Sequence, residues 1–391
     1  MNWELVELSE VDTADWVDPV GHTPVWSSPG FRRVTEELPQ HPVVNLLGVR
    51  AGKPVLMAPV LRTERPGGLL FYDLPAMIGD EGAFGDHKRL PEAQSEQFTA
   101  LDLTVRRAAA YPSLVLGTHG AHHGVVLDPS LDKDERIELC RGLPEAVAAV
   151  AADFGCTSHG LLYLSEGLLD WIRPALGPEH EIAMLGAESV LECDGEDWQD
   201  YVASLSSRRR GRVLHERRSY LAGQDRSHIA TGPDSIGEDL VDLRCNLRTR
   251  YGLPDQRDRT IAEFEALSRW CGEDLVVIRS LRAGEPVGFV ICLRRGDTLY
   301  ARTAGFDYDR LGPHDFCYFN LVYYDALEWG LPRGVRRLEL GLASYPAKRT
   351  RGCHFEPRLG VFHLPGHGEL RTALRLQDSG ERARLIEQCG L

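Results

Sequence analysis

The sequence predicts an α/β (α+β) chain of two lobes, each a mixed β-sheet flanked by helices. Two observations carry this. The 391 residues exceed the length at which a single hydrophobic core stops growing, so two lobes of ordinary domain size are expected, divided here into 1–180 and 181–391. The order of a charged turn, two apolar strands, a helix and a further strand then occurs in both halves, although no repeat of the residues themselves is readable.

In the first lobe, Val43 to Arg62 carries two apolar runs separated by Arg50-Ala-Gly-Lys-Pro54, and turn formers between β-rich runs predict a hairpin. Leu69 to Leu74 and Ser113 to Leu116 are further strand candidates. Ala93 to Ala110 has a helical pattern, and Asp132 to Asp153, rich in Ala, Leu and Glu, predicts a second helix. Leu161 to Leu164 reads as a buried strand. In the second lobe, Asp197 to Leu221 is a long helical stretch dense in arginine, and Thr260 to Cys271 is another helix. Leu275 to Ser280, Val287 to Arg294 and Thr298 to Ala304 are strands, with turns at Ala283-Gly-Glu-Pro286 and Arg295-Gly-Asp297. A loop from Gly305 to Asp315 leads into a helix from Phe316 to Gly330, and Val335 to Gly341 returns as a strand.

Composition removes several classes. With 43% hydrophobic and 26% charged residues the chain is ordinary globular material. The start lacks the basic flank and apolar run of an export signal, and no apolar stretch approaches the about 20 residues that span a bilayer. Nine scattered cysteines without a Cys-x-x-Cys pair argue against a disulfide framework or structural zinc, so a cytoplasmic location is expected. The net charge of -14 would repel a polyanion unless a local basic patch overrides it, and no DNA partner is expected. The Gly-x-Ser-x-Gly elbow, the P-loop, the Rossmann glycine fingerprint and His-Glu-x-x-His are all missing, so hydrolase, NTPase and dehydrogenase readings lack their signatures.

The stretch from Pro286-Val-Gly-Phe-Val-Ile-Cys to Thr303-Ala-Gly-Phe-Asp307 resembles the paired strands of Fem-type proteins of the GNAT superfamily and their peptidoglycan-biosynthesis-like relatives. The helix and strand that follow keep the family's order. Ala343-Ser-Tyr-Pro-Ala-Lys-Arg-Thr-Arg-Gly352 is similar to the family's segment with a lysine ahead of an Arg-Gly pair, and the arginine-rich helix at 206–218 to its basic helix. The likeness covers about 181–357, and more loosely the strands near 43–75. It implies two GNAT-like units and direct attack of an amine on a bound acyl donor, with no metal and no tightly bound cofactor. Aminoacyl-tRNA or acyl-CoA would be the donor co-substrate, with a small-molecule amine acceptor and tRNA as the candidate partners. The sequence departs from the acetyl-CoA pattern of Arg/Gln-x-x-Gly-x-Gly/Ala, because Asp309 and His314 stand where an amide or basic residue and a small residue are needed. A carboxylate repels a pyrophosphate and an imidazole blocks backbone approach, so the loop is a poor CoA cradle.

Candidate donor-binding residues are Arg208, Arg209, Arg210 and Arg212, whose forks match phosphate oxygens, together with Arg310 and Gly312 of the loop and Arg351. The plain alternative for the helix is a solvated face balanced by Glu216. Lys348 is one of only four lysines, which suggests a need for a compact ammonium at a donor phosphate or developing oxyanion. Asp315 and Tyr318 are candidate acid or base groups, though a positioned neutral amine needs little such help. Asp73 and the histidines of Gly117-Thr-His-Gly-Ala-His-His-Gly124 (His119, His122, His123) are acceptor-side candidates. No acidic residue lies close to these histidines in sequence, so a metal is not expected. The resulting expectation is an amide-forming acyl- or aminoacyltransferase of cell-wall or specialised metabolism. An acyl-CoA-dependent N-acetyltransferase and a non-catalytic binding protein are its rivals.

Overall fold

The protein is described from a computed structural model over residues 2–6, 11, 13, 15–20, 24–38, 43–67, 70–80, 83–85, 89–118, 120–223, 225–252 and 256–391. It forms two compact units, residues 1–188 with 355–391, and residues 189–354. Where the sequence divides once, at 180/181, the chain itself returns to its first unit for the last 37 residues.

In the first unit the strands are β1 (Asn2–Val6), β2 (Val43–Arg50), β3 (Lys53–Thr63), β4 (Ser113–Leu116), β5 (Val126–Leu127) and β6 (Ser158–Leu164). Residues 180–188 of β7 (His180–Glu192) and the body of β13 (His354–His363) complete its sheet. The order is β1-β2-β3-β4-β6-β13-β7, with β5 beside β3. β1 with β2, β2 with β3, β3 with β4, β3 with β5 and β6 with β13 pair antiparallel, and β4 with β6 is parallel. That parallel pair is what the helices Lys133–Arg141 and Leu143–Asp153 make possible, since a parallel return requires a crossover.

The second unit contains residues 189–192 of β7, then β8 (Asp225–Thr231), β9 (Leu275–Arg282), β10 (Glu285–Arg295), β11 (Thr298–Phe306) and β12 (Arg337–Glu339), ordered β7-β12-β11-β10-β9-β8. β9, β10 and β11 run antiparallel, and β12 joins β11 in parallel after the helical segment 317–330. Three antiparallel strands, a helical crossover and a parallel strand therefore occur in each unit.

Several elements differ from the sequence expectation. Residues 70–77 are a helical turn and a short helix rather than a strand, because Asp73 accepts the Ala76 N–H and Pro75 sits in the first turn. The helix expected over 93–110 breaks at Ala100–Asp102 into Glu92–Thr99 and Leu103–Ala109. Gly142 and Pro144 likewise divide 132–153, since proline cannot donate into a continuing helix. The arginine-rich stretch is two helices, Trp198–Ser204 and Ser207–Ala222. No helix among the described residues is long and apolar enough to cross a membrane.

Candidate functional site

In the second unit, β11 runs into the loop at 307–315, and the helical segment follows. Phe316 takes a left-handed conformation (φ 52°) at the junction. The segment is not a regular α-helix: Cys317–Phe319 is one helical turn, Asn320–Asp325 is π-helical and Ala326–Gly330 closes it. Wider turns of this kind gather at functional sites, and here the wide turn aims Asn320 and Asp325 at one cation. Arg217 Nη1 donates to Asn320 Oδ1 at 3.0 Å and to Asp325 Oδ1 at 2.7 Å, while its Nη2 reaches Glu328. Burial raises the Asp325 carboxyl, against which Arg217 and the Ser227 hydroxyl at 2.6 Å act.

Beside this lies a buried charge pair. Arg351 donates from Nη2 to Glu216 Oε2 at 2.6 Å, from Nε to the Tyr324 hydroxyl at 3.2 Å and from Nη1 to the Ala347 carbonyl at 2.6 Å. The Tyr324 hydroxyl in turn donates to Glu216 Oε2. The guanidinium also lies 3.2 Å from the centroid of the Phe319 ring, a cation–π contact in a water-poor setting. Lys348 is similarly enclosed: its ammonium donates to the carbonyls of Leu340, Gly341 and Leu342 at 2.7, 2.6 and 3.3 Å. Both cations of the Lys-to-Arg-Gly segment thus point into the unit and fix backbone and helices there.

The loop at 307–315 answers its own N–H groups. Asp307 Oδ1 accepts from the amides of Asp309 and Arg310 at 3.1 and 3.2 Å, and Asp315 Oδ2 accepts from the Gly312 amide at 2.8 Å and from Arg282 at 2.9 Å. Burial works to raise the Asp315 carboxyl, but Arg282 and the Gly312 N–H outweigh it and hold the group below the ordinary carboxylate range. Arg310 is folded back, donating to the Arg282 carbonyl at 3.1 Å. Tyr318 stands at the start of the helical segment with 37% of its surface exposed, its ring against Phe306 and Phe319.

The helix Ser207–Ala222 divides its arginines by job. Arg210 turns back to the carbonyls of Val202, Ala203 and Leu205 at 3.1, 2.8 and 3.0 Å, closing the end of Trp198–Ser204. Arg217 serves the π-helical turn. Arg208, Arg209 and Arg212 have no hydrogen-bond or ion-pair partner among the described residues. They sit in the first two turns, whose dipole is already positive and where no acidic residue stands.

The acceptor-side candidates lie in the first unit. Asp73 is buried, capping Leu74–Met77 and accepting from the Tyr111 hydroxyl. His119 lies outside the described residues. His122 and His123 meet an acid the sequence did not bring near them: each Nε2 is 3.3 Å from Asp18 Oδ2. The three donor atoms lie within 4.8 Å of one another, the only such grouping among the described residues. Their hydrogen bonding fits a carboxylate better than a metal. His122 Nδ1 accepts from the Gly124 amide and His123 Nδ1 from the Val125 amide, both at 3.0 Å, so a neutral ring carries its proton on Nε2, facing Asp18. A metal-ligating imidazole instead donates its distal N–H to an acceptor. Burial and the neighbouring His123 push His122 down to about 4, keeping the ring neutral.

Comparison with known proteins adds three findings. The sequence model of the FemAB-like family, described as peptidoglycan biosynthesis/recognition, matches residues 131–386. The fold is similar to that of FemX, with a TM-score of 0.57 at 9% identity, over 94% of this chain and 98% of that one. It is also similar to the C-terminal DUF2156 domain of an Agrobacterium fabrum protein assigned as a lysylphosphatidylglycerol synthetase, with a TM-score of 0.50 at 11% identity over 91% of each chain. No curated protein matches the chain.

Proposed function

The chain belongs to the FemAB-like family of peptidoglycan biosynthesis or recognition, and from that membership we propose that it transfers an aminoacyl group from aminoacyl-tRNA to a small amine acceptor. The neutral amine attacks the ester carbonyl carbon, a C–N bond forms and the C–O bond to the terminal ribose breaks. The proton lost by nitrogen ends on the departing ribose oxygen. An ester and a free amine need positioning more than a dedicated base.

The observation that carries the choice of donor is the loop at 307–315. A CoA pyrophosphate needs free backbone N–H groups, whereas the amides of Asp309, Arg310 and Gly312 are engaged by carboxylates of the loop itself. The unpartnered Arg208, Arg209 and Arg212 supply cations of the kind a polyphosphate backbone requires, within a chain of net charge -14. Tyr318 is the group we assign to pass that proton on, its hydroxyl giving a proton to the leaving ribose oxygen and taking back the one lost by the amine. Lys348 and Arg351 are assigned to positioning, and Asp315 to holding the loop. Incubating the protein with labelled aminoacyl-tRNA and, separately, with labelled acetyl-CoA, each with a panel of amines, tests this. Label should reach an amine only from the tRNA, and transfer from acetyl-CoA alone would overturn the reading.

One observation favours a second reading, a non-catalytic binding protein: Lys348 and Arg351 are both enclosed by internal partners. Under it, amine-bearing peptidoglycan precursors bind in the same incubations while both donors stay intact.

A further inference from the structure

Arg32, on the helix Pro29–Glu37 of the first unit, is buried with only 4% of its surface exposed. Its Nη2 donates to the Gly124 carbonyl at 3.2 Å. Its Nε and Nη1 meet no acceptor among the described residues. A guanidinium has five N–H groups and does not give up its charge at neutral pH, so an enclosed one requires an anion or a full set of acceptors. The chain meets that requirement elsewhere. The other buried arginines among the described residues, Arg351 and Arg358, have Glu216 at 2.6 Å and Glu356 at 3.3 Å. The acid that bears on Arg32, Glu36, is in an ion pair with Arg33 instead. Burial accordingly pushes Arg32 down to about 9, with Glu36 only partly opposing.

The surroundings hold this guanidinium in place. Trp26 packs edge-on against Phe31, ring centroids 4.9 Å apart, and its indole lies so close beneath Gly120 that a Cβ there would come within 2.3 Å of it. Gly120 also has φ +90°, so the approach is one only glycine permits. The Gly124 peptide is fixed from both ends, its carbonyl by Arg32 and its N–H by His122 Nδ1. The nearby carboxylate of Asp18 faces the two imidazoles at 3.3 Å. The histidine loop and Arg32 are thus one construction, joined at the Gly124 peptide, with a buried cation whose Nε and Nη1 lack acceptors among the described residues.

We propose that Arg32 is the fixed cation of a binding site for an oxyanion, a carboxylate or a phosphate group of a ligand held by the first unit, whose oxygens accept from Nε and Nη1. The site does not depend on the donor reading of the second unit. Thermal melts and calorimetry of the full chain test it, with sodium phosphate and sodium acetate compared against sodium chloride at matched ionic strength. The wild type should melt higher in at least one of the two oxyanions and bind it saturably. A response to phosphate alone assigns a phosphate ligand, and one to acetate alone a carboxylate. Arg32→Met should lose at least about tenfold in that affinity. In chloride it should melt no lower than wild type, because it removes an unpaired buried charge. Arg32→Lys, which keeps the charge without the planar fork, should retain a weakened phosphate response. Absence of any oxyanion response in wild type would overturn the site. So would an Arg32→Met protein that melts far below wild type in chloride, since the guanidinium would then be satisfied within the fold.

Discussion

At the scale of single residues, the second unit turns on two enclosed cations. Glu216→Gln leaves Arg351 buried beside a neutral amide, and breaking such a pair costs about 3–5 kcal/mol, visible as a lowered denaturation midpoint. The double variant Glu216→Gln with Arg351→Met should recover part of that loss; a double variant as unstable as the single would show that the pair is not coupled. Lys348→Met should reduce stability as well as turnover, because each carbonyl left without its donor costs about 1–3 kcal/mol. A Lys348→Met protein of unchanged melting temperature would refute the enclosed role. The rarity of lysine singled out Lys348 in the sequence, yet composition could not say that its ammonium points to its own backbone. Nor could it pair Arg351 with Glu216, 135 residues away, or Asp18 with His122, since contacts between distant segments leave no local pattern.

At the scale of elements, β9, β10 and β11 were readable as apolar runs between turn formers and lie where such runs place them, whereas β7, β8 and β13 were not read as strands. The breaks inside helices were less readable. Periodicity carries across Leu205–Ser206, and only the backbone bonds of Arg210 reveal that one helix ends and another begins. The π-helical turn at 320–325 shifts the residues that face Arg217 and is invisible to a fixed 3.6-residue period. Arg210→Gln should therefore destabilise the unit while Arg208→Gln, Arg209→Gln and Arg212→Gln together should not; equal melting losses in the two proteins would count against this division. The loop at 307–315 makes a pH prediction of definite sign. Asp315 is held below its ordinary value, so its cap on Gly312 is intact above the ordinary carboxylate range and is lost only as pH falls through the depressed value. The Gly312 amide resonance should hold steady from neutral pH down into the ordinary carboxylate range and move only below it. Movement nearer neutrality would mean that the loop is not closed by its own carboxylate.

At the scale of the whole molecule, the likeness to Fem-type proteins was legible in the order of strands, helix and Lys-to-Arg-Gly segment in the second half. The return of the chain to its first unit was not, because nothing in β13 or the final helix marks which sheet receives them. β13 lies between β6 and β7 in that sheet, and Gln377 of the final helix Gly368–Cys389 donates to the Met77 and Asp80 carbonyls. The central claim is that aminoacyl-tRNA is the donor and that the unpartnered arginine face receives it. Affinity for aminoacyl-tRNA across a salt series, in wild type and in the Arg208→Gln, Arg209→Gln, Arg212→Gln protein, tests this most directly, because each phosphate contact releases counterions and steepens the dependence. The account predicts a steep fall for wild type and, for the triple variant, weaker binding with a shallower slope at an unchanged melting temperature. Equal affinity of the two proteins at every salt concentration would contradict it.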